Sequence, residues 1–131
     1  MPRVIALLIV LQLTSACAKT VDLGAFNERQ ICKAAISIVM GRSPSIMSID
    51  RIEGGVVYLS YVRSNDRSLW HYRCKIQGSK IVWASETGRW RTDREDSVIT
   101  FTISGNTLKV VDRFSDGSAS SQSFELKELG E

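Results

Sequence analysis

Ser68-Leu69-Trp70-His71-Tyr72-Arg73-Cys74-Lys75-Ile76-Gln77 decides the fold. Trp70, Tyr72, Cys74 and Ile76 alternate with His71, Arg73, Lys75 and Gln77, and side chains two apart along a strand share a face. One face is therefore apolar and the other basic, the pattern of an antiparallel strand covered on one side only. Working outward, the same period of two recurs between turn signals about ten residues apart. Glu53-Gly54-Gly55 separates a strand beginning at Ile46 from Val56 to Arg63, and Ser64-Asn65-Asp66 leads into the quoted stretch. Gly78-Ser79 then turns into Lys80 to Ser85, and a short Arg89-Trp90-Arg91 element is expected after Gly88. Val98 to Ser104 turns at Gly105-Asn106 into Thr107 to Ser115, and Asp116-Gly117 opens a last strand ending near Leu126.

Upstream the grammar is helical. Asn27 and Gln30 form a capping box, Phe26 and Ile31 a hydrophobic staple, and Cys32, Ala35, Ile36 and Val39 recur at spacings of three and four. Gly41 suits a left-handed cap and Pro44 forbids continuation, so the spacing predicts a helix over Glu28 to Met40. The expected architecture is α+β, an N-terminal helix packed on an antiparallel β-meander of about six or seven strands. Cys32 falls on the helix's apolar face and Cys74 on the strand's apolar face, so a bridge between them would staple the two layers at the core. Such a link closes a loop of about forty residues, worth roughly 4 kcal/mol in the chain-entropy account.

At 131 residues, with 44% apolar and 24% charged residues, the chain has the length and balance of one globular domain. Its first residues depart from that average. Arg3 is followed by the apolar run Val4 to Leu13 and by the small residues Thr14-Ser15-Ala16, the layout of a secretory signal. The run is about half the roughly twenty residues a spanning helix needs. Leu13-Thr14-Ser15-Ala16-Cys17 resembles a bacterial lipobox, which would make Cys17 the lipidated residue and Ala18 an outer-membrane sorting residue. The alternative is plain cleavage at Ala16-Cys17-Ala18. Residues 1–18 are thus assigned to the leader, 19–25 to a spacer and 26–131 to a single domain. Removing Cys17 from the count leaves two cysteines, which pair in an oxidising compartment. The expected location is the periplasm, on an outer-membrane lipid anchor.

Charge is uneven about a net +3. Arg63 to Arg94 is basic, whereas Glu95 to the end is acidic. The single histidine, His71, lies on the basic face, with Arg73 and Arg67 as its nearest neighbours by sequence; it is expected to be a surface residue rather than a general base. One histidine and two paired cysteines leave no zinc site, so no metal and no cofactor are expected. Asp93, Glu95 and Asp96 form a polar stretch, no serine sits in a nucleophile elbow, and no glycine-rich phosphate loop occurs. An enzyme is not expected. Trp70, Tyr72, Trp83 and Trp90 interleave with the basic region, but export argues against nucleic acid, and Trp70 and Tyr72 are assigned to the core. Arg89-Trp90-Arg91, with Arg73 and Lys75, is the candidate interaction surface, since tryptophan flanked by arginine is the chemistry of interface hot spots. Its expected partner is an envelope protein or an anionic envelope polymer or headgroup. The alternatives are a carrier of a small or lipidic ligand in a cavity between helix and sheet, and an inhibitor of an enzyme that attacks the envelope.

Cys32-Lys33-Ala34-Ala35-Ile36, Met40-Gly41-Arg42-Ser43-Pro44, Trp70-His71-Tyr72-Arg73-Cys74-Lys75-Ile76 and Gly88-Arg89-Trp90-Arg91 together resemble a group of small exported proteins of unknown function in Gram-negative bacteria. The resemblance covers most of the mature chain and implies neither an activity nor site residues. The periplasmic lysozyme inhibitors are similar in size, anchoring and β-rich, disulfide-linked build. This chain departs from them in its leading helix and in lacking their serine-glycine loop.

Overall fold

The computed structural model describes residues 22–130. The leader, Cys17 and the start of the spacer lie outside the described residues. Asn27 ends the entering segment: its side chain accepts from the Gln30 amide at 2.9 Å while the Gln30 side chain accepts from the Asn27 amide at 2.9 Å. Two of the donors left orphaned at a helix start are thereby satisfied, and helix α1 runs Glu28–Met40. Gly41 closes it at φ 64°, a left-handed conformation that suits glycine. A single 3-10 turn, Pro44–Ile46, leads into the sheet.

Seven strands follow: β1 (Met47–Glu53), β2 (Val56–Val62), β3 (Leu69–Gln77), β4 (Lys80–Ser85), β5 (Val98–Ser104), β6 (Thr107–Arg113) and β7 (Ala119–Glu125). They are hydrogen-bonded in sequence order and every pair is antiparallel, a simple meander. Helix α1 lies against one face, where Ile31, Cys32, Ala35 and Ile36 meet Val57, Leu59, Tyr72 and Cys74, and on the far strands Leu108, Val110 and Phe124. This is the α+β architecture expected from the sequence. Cys32 and Cys74 are disulfide-bonded with Cα atoms 5.8 Å apart, both side chains without exposed surface, so one covalent link joins helix to sheet inside the core. Beside it the Tyr61 and Tyr72 rings stack and their hydroxyls lie 3.3 Å apart; burial pushes the Tyr72 hydroxyl above the ordinary phenol range, with the Tyr61 hydrogen bond adding to the rise.

Two expectations need correction, and one feature of the sheet was not expected. Trp70, assigned to the core by alternation, is 41% exposed. It lies on the core face, opposite Tyr61, but at the start of β3, where the Arg63 guanidinium rather than the core covers its ring at 4.9 Å and Ser68 Oγ accepts from its indole N–H. Alternation assigns a face; it does not say where along the strand the cover ends. Arg89-Trp90-Arg91 is not a strand. β4 pairs with β5 only at Lys80↔Thr100 and Ile81↔Ile99, and residues 86–97 turn back along the edge that β5 leaves open, where the Arg91 amide donates to the Trp83 carbonyl at 2.9 Å. Finally, β1 carries an irregularity between Ile49 and Arg51 that inserts Asp50 into the pairing.

Candidate functional site

The face of the sheet away from α1 carries the site. Strand register puts Arg51, Tyr58, Arg73 and Ala84 in one row across β1 to β4. The Arg51 guanidinium stands 3.9 Å from the centre of the Tyr58 ring, and Arg73 is the next side chain along. The 86–97 loop then brings Trp90 over the same face, its ring centre 4.9 Å from the Arg73 guanidinium and 4.2 Å from Lys75 Nζ. Cation and aromatic thus alternate from Arg51 through Tyr58, Arg73 and Trp90 to Lys75. Contacts of this kind hold about 0.5–1 kcal/mol each at exposed positions.

The loop is built to hold Trp90 there. Arg73 Nε donates to the Ser85 carbonyl at 3.0 Å, and the same guanidinium donates to the Gly88 carbonyl, tying β3 to the loop's first turn. The Gly88 amide donates to Ser85 Oγ at 3.1 Å; a Cβ at position 88 would stand 2.3 Å from that oxygen, so only glycine fits without displacing it. On the far side of the loop Arg89 makes a two-pronged pair with Asp96, at 2.6 and 3.1 Å, and a further contact with Asp93 at 3.2 Å. The Arg89 hydrogen bond, before any other cause, holds the Asp96 carboxyl below the usual carboxylate range.

Of the five candidate surface residues, the structure therefore brings Arg73, Lys75 and Trp90 together and separates the other two. Arg89 is engaged by carboxylates of its own loop. The Arg91 guanidinium lies over the Trp83 ring at 5.4 Å, and Trp83 pairs with Cys74 on the core side of the sheet. Each of the three side chains thus meets a different set of neighbours, so a tryptophan flanked by two arginines does not present all three to one partner.

Next to this row a groove of 310 Å³ opens between β1, β2 and β3 and the loop, lined by Asp50, Tyr58, His71, Arg73, Glu86 and Thr87 among others. His71 is half-buried here. Its nearest charged partner is a carboxylate, not the arginines expected from the sequence: Nδ1 lies 3.5 Å from Asp50 Oδ2, and Asp50 Oδ1 accepts from Ser60 Oγ at 3.0 Å. Asp50 is the residue inserted at the irregularity in β1. Ser60 is occupied in holding Asp50. Among the described residues no group of three His, Cys, Asp or Glu side chains converges as metal ligands.

Arg51, Tyr58, Asp50 and Glu86 belong to the site but carry no motif. Counting pairs back from Gly54-Gly55 does set Arg51 opposite Tyr58, but the extra residue at Asp50, just beyond that pair, is marked by nothing in the sequence. Compared with known proteins, the chain matches no family model, no curated sequence and no solved structure.

Proposed function

We propose that the protein is a non-enzymatic binding module of the bacterial envelope, exported and held at the outer membrane by acylation at Cys17, that engages an anionic envelope polymer with the outer face of its sheet. One observation carries this: cations and aromatic rings alternate across three strands and a clamped loop, from Arg51 to Lys75. Aromatic and arginine side chains are the residues that dominate binding surfaces, and these are held in place before any ligand arrives, which lowers the ordering cost of association. A carrier of an enclosed ligand is supported less well, because large side chains such as Ile31, Leu59, Phe101 and Phe124 fill the space between helix and sheet.

Lipopolysaccharide is the probe of choice. Trp90→Ala and Lys75→Gln should each weaken its binding about tenfold, a loss of about 1.4 kcal/mol, and rising salt should weaken the wild type. Binding that is indifferent to both substitutions and to salt contradicts the reading.

A further inference from the structure

Within the binding face just proposed, on which this inference rests, we infer that the ligand is a glycan bearing phosphate or carboxylate groups rather than a bare polyanion. The observation is the groove beside the cation–aromatic row. A surface made only for closely spaced anions would carry cations alone, because like charges brought together oppose binding. Here two carboxylates, Asp50 and Glu86, line the same groove as Arg73 and His71, together with the hydroxyl-bearing Tyr58 and Thr87. Carboxylate oxygens only accept hydrogen bonds, arginine only donates, and hydroxyl and neutral imidazole do both. That mixed set matches the hydroxyl groups of a sugar, which donate and accept in turn. The neighbouring cations match acidic substituents on the same chain, and the partly exposed rings of Tyr58 and Trp90 offer aromatic surface to the C–H groups of sugar rings. Asp50 is held by the hydrogen bond from Ser60 Oγ at 3.0 Å, with His71 Nδ1 3.5 Å from its other oxygen, so it is aimed before a ligand arrives. Glu86 is exposed and makes no ion pair among the described residues.

Carboxylates in a glycan site and carboxylates in a polyanion site have opposite consequences, which makes the inference testable. Two probes are compared by calorimetry on the chain from Lys19 onward, which contains every element and the whole core described above: the phosphorylated core oligosaccharide of lipopolysaccharide, and inorganic polyphosphate of equal charge. The wild type should prefer the oligosaccharide at least tenfold. Glu86→Gln, at an exposed position where folding is not at stake, should weaken the oligosaccharide severalfold and strengthen polyphosphate; Asp50→Asn should act in the same two directions. Polyphosphate bound as tightly as the oligosaccharide, or both probes shifted in one direction by Glu86→Gln, overturns the glycan inference while leaving the anionic binding face in place. Failure of both probes to bind wild type overturns the face and the glycan inference together.

Discussion

Gly88 shows how much one missing methyl decides. Its amide rests on Ser85 Oγ, its carbonyl receives Arg73, and the next residues but one carry Trp90 onto the outer face. Gly88→Ala should force Ser85 out of its rotamer and cost about 1 kcal/mol through the lost hydrogen bond. Its clearer effect would be a loosened Trp90, read as faster indole dynamics by NMR and weaker lipopolysaccharide binding. Adding Ser85→Ala removes the clash, so the double variant should recover the order of Trp90 even though the hydrogen bond stays lost; a single variant as ordered as the wild type would show that the close approach is unimportant. None of this was legible in the sequence, where Gly88 marks only a turn. Trp90 was legible as a candidate because of its type, whereas the engagement of Arg89 by Asp93 and Asp96 was not, because those carboxylates read as solvated loop.

At the scale of elements, both ends of α1, the start of β4 and the end of β5 were read to the residue. The strands beside Ser64-Asn65-Asp66 and Asp116-Gly117 were instead read one or two residues too long, β2 ending at Val62, β3 starting at Leu69 and β6 ending at Arg113. Helix α1 and strands β4 and β5 begin and end where Asn27, Gly41, Gly78 and Gly105 place them. Segments decided by a distant neighbour were not legible: whether 89–91 forms a strand depends on where β5 lies, and the cover of Trp70 depends on how far the core reaches. The β2–β3 turn offers a test of local electrostatics. Asp66 accepts from the Arg63 guanidinium, from the Ser68 amide at 3.0 Å and from Ser68 Oγ at 2.7 Å, and these hydrogen bonds, Arg63 foremost, hold its carboxyl well below the ordinary 3.8. A carboxyl with a depressed value in the folded state stabilises the fold fully above its unfolded value, and that contribution disappears as pH falls through the folded value. The turn should therefore keep its order from neutral pH down past 3.8 and lose it only below that. Asp66→Asn should abolish this acid step. An NMR titration of the Asp66 carboxyl with a midpoint at or above 3.8 would contradict the assignment.

For the molecule as a whole, the meander gives the sheet two unlike ends. Gly54-Gly55, Gly78-Ser79 and Gly105-Asn106 turn the chain at one end, where Leu23 and Phe26 lie near Ile52 and Gly24 near Ile103. The longer connections gather at the other, together with the exposed side chains of Ile46, Val62, Leu69, Trp70, Val98 and Phe114. The described N-terminal segment thus enters at the tight-turn end, so the proposed tether would leave the outer face and the loop end open. Holding the two layers in register is the task of the disulfide, which spans a sequence separation of 42. Replacing both cysteines with alanine should lower unfolding stability by about 4 kcal/mol; a denaturation midpoint unchanged by the replacement, or by reduction of the wild type, would deny the bridge that role. The pairing was legible because two independent periodicities put both thiols on buried faces, and so was the basic character of the middle strands. How those charges distribute over the two faces was not, because the sequence does not say on which side the 86–97 loop lies.

The proposed binding face is tested most directly by mapping backbone and indole NMR shifts of the isotope-labelled domain while lipopolysaccharide core oligosaccharide is added. The account predicts perturbations at Arg51, Tyr58, His71, Arg73, Lys75 and the Trp90 indole, with α1 and the Trp70 indole unmoved. Shifts confined to α1 or to the exposed apolar end, with Trp90 silent, would contradict it.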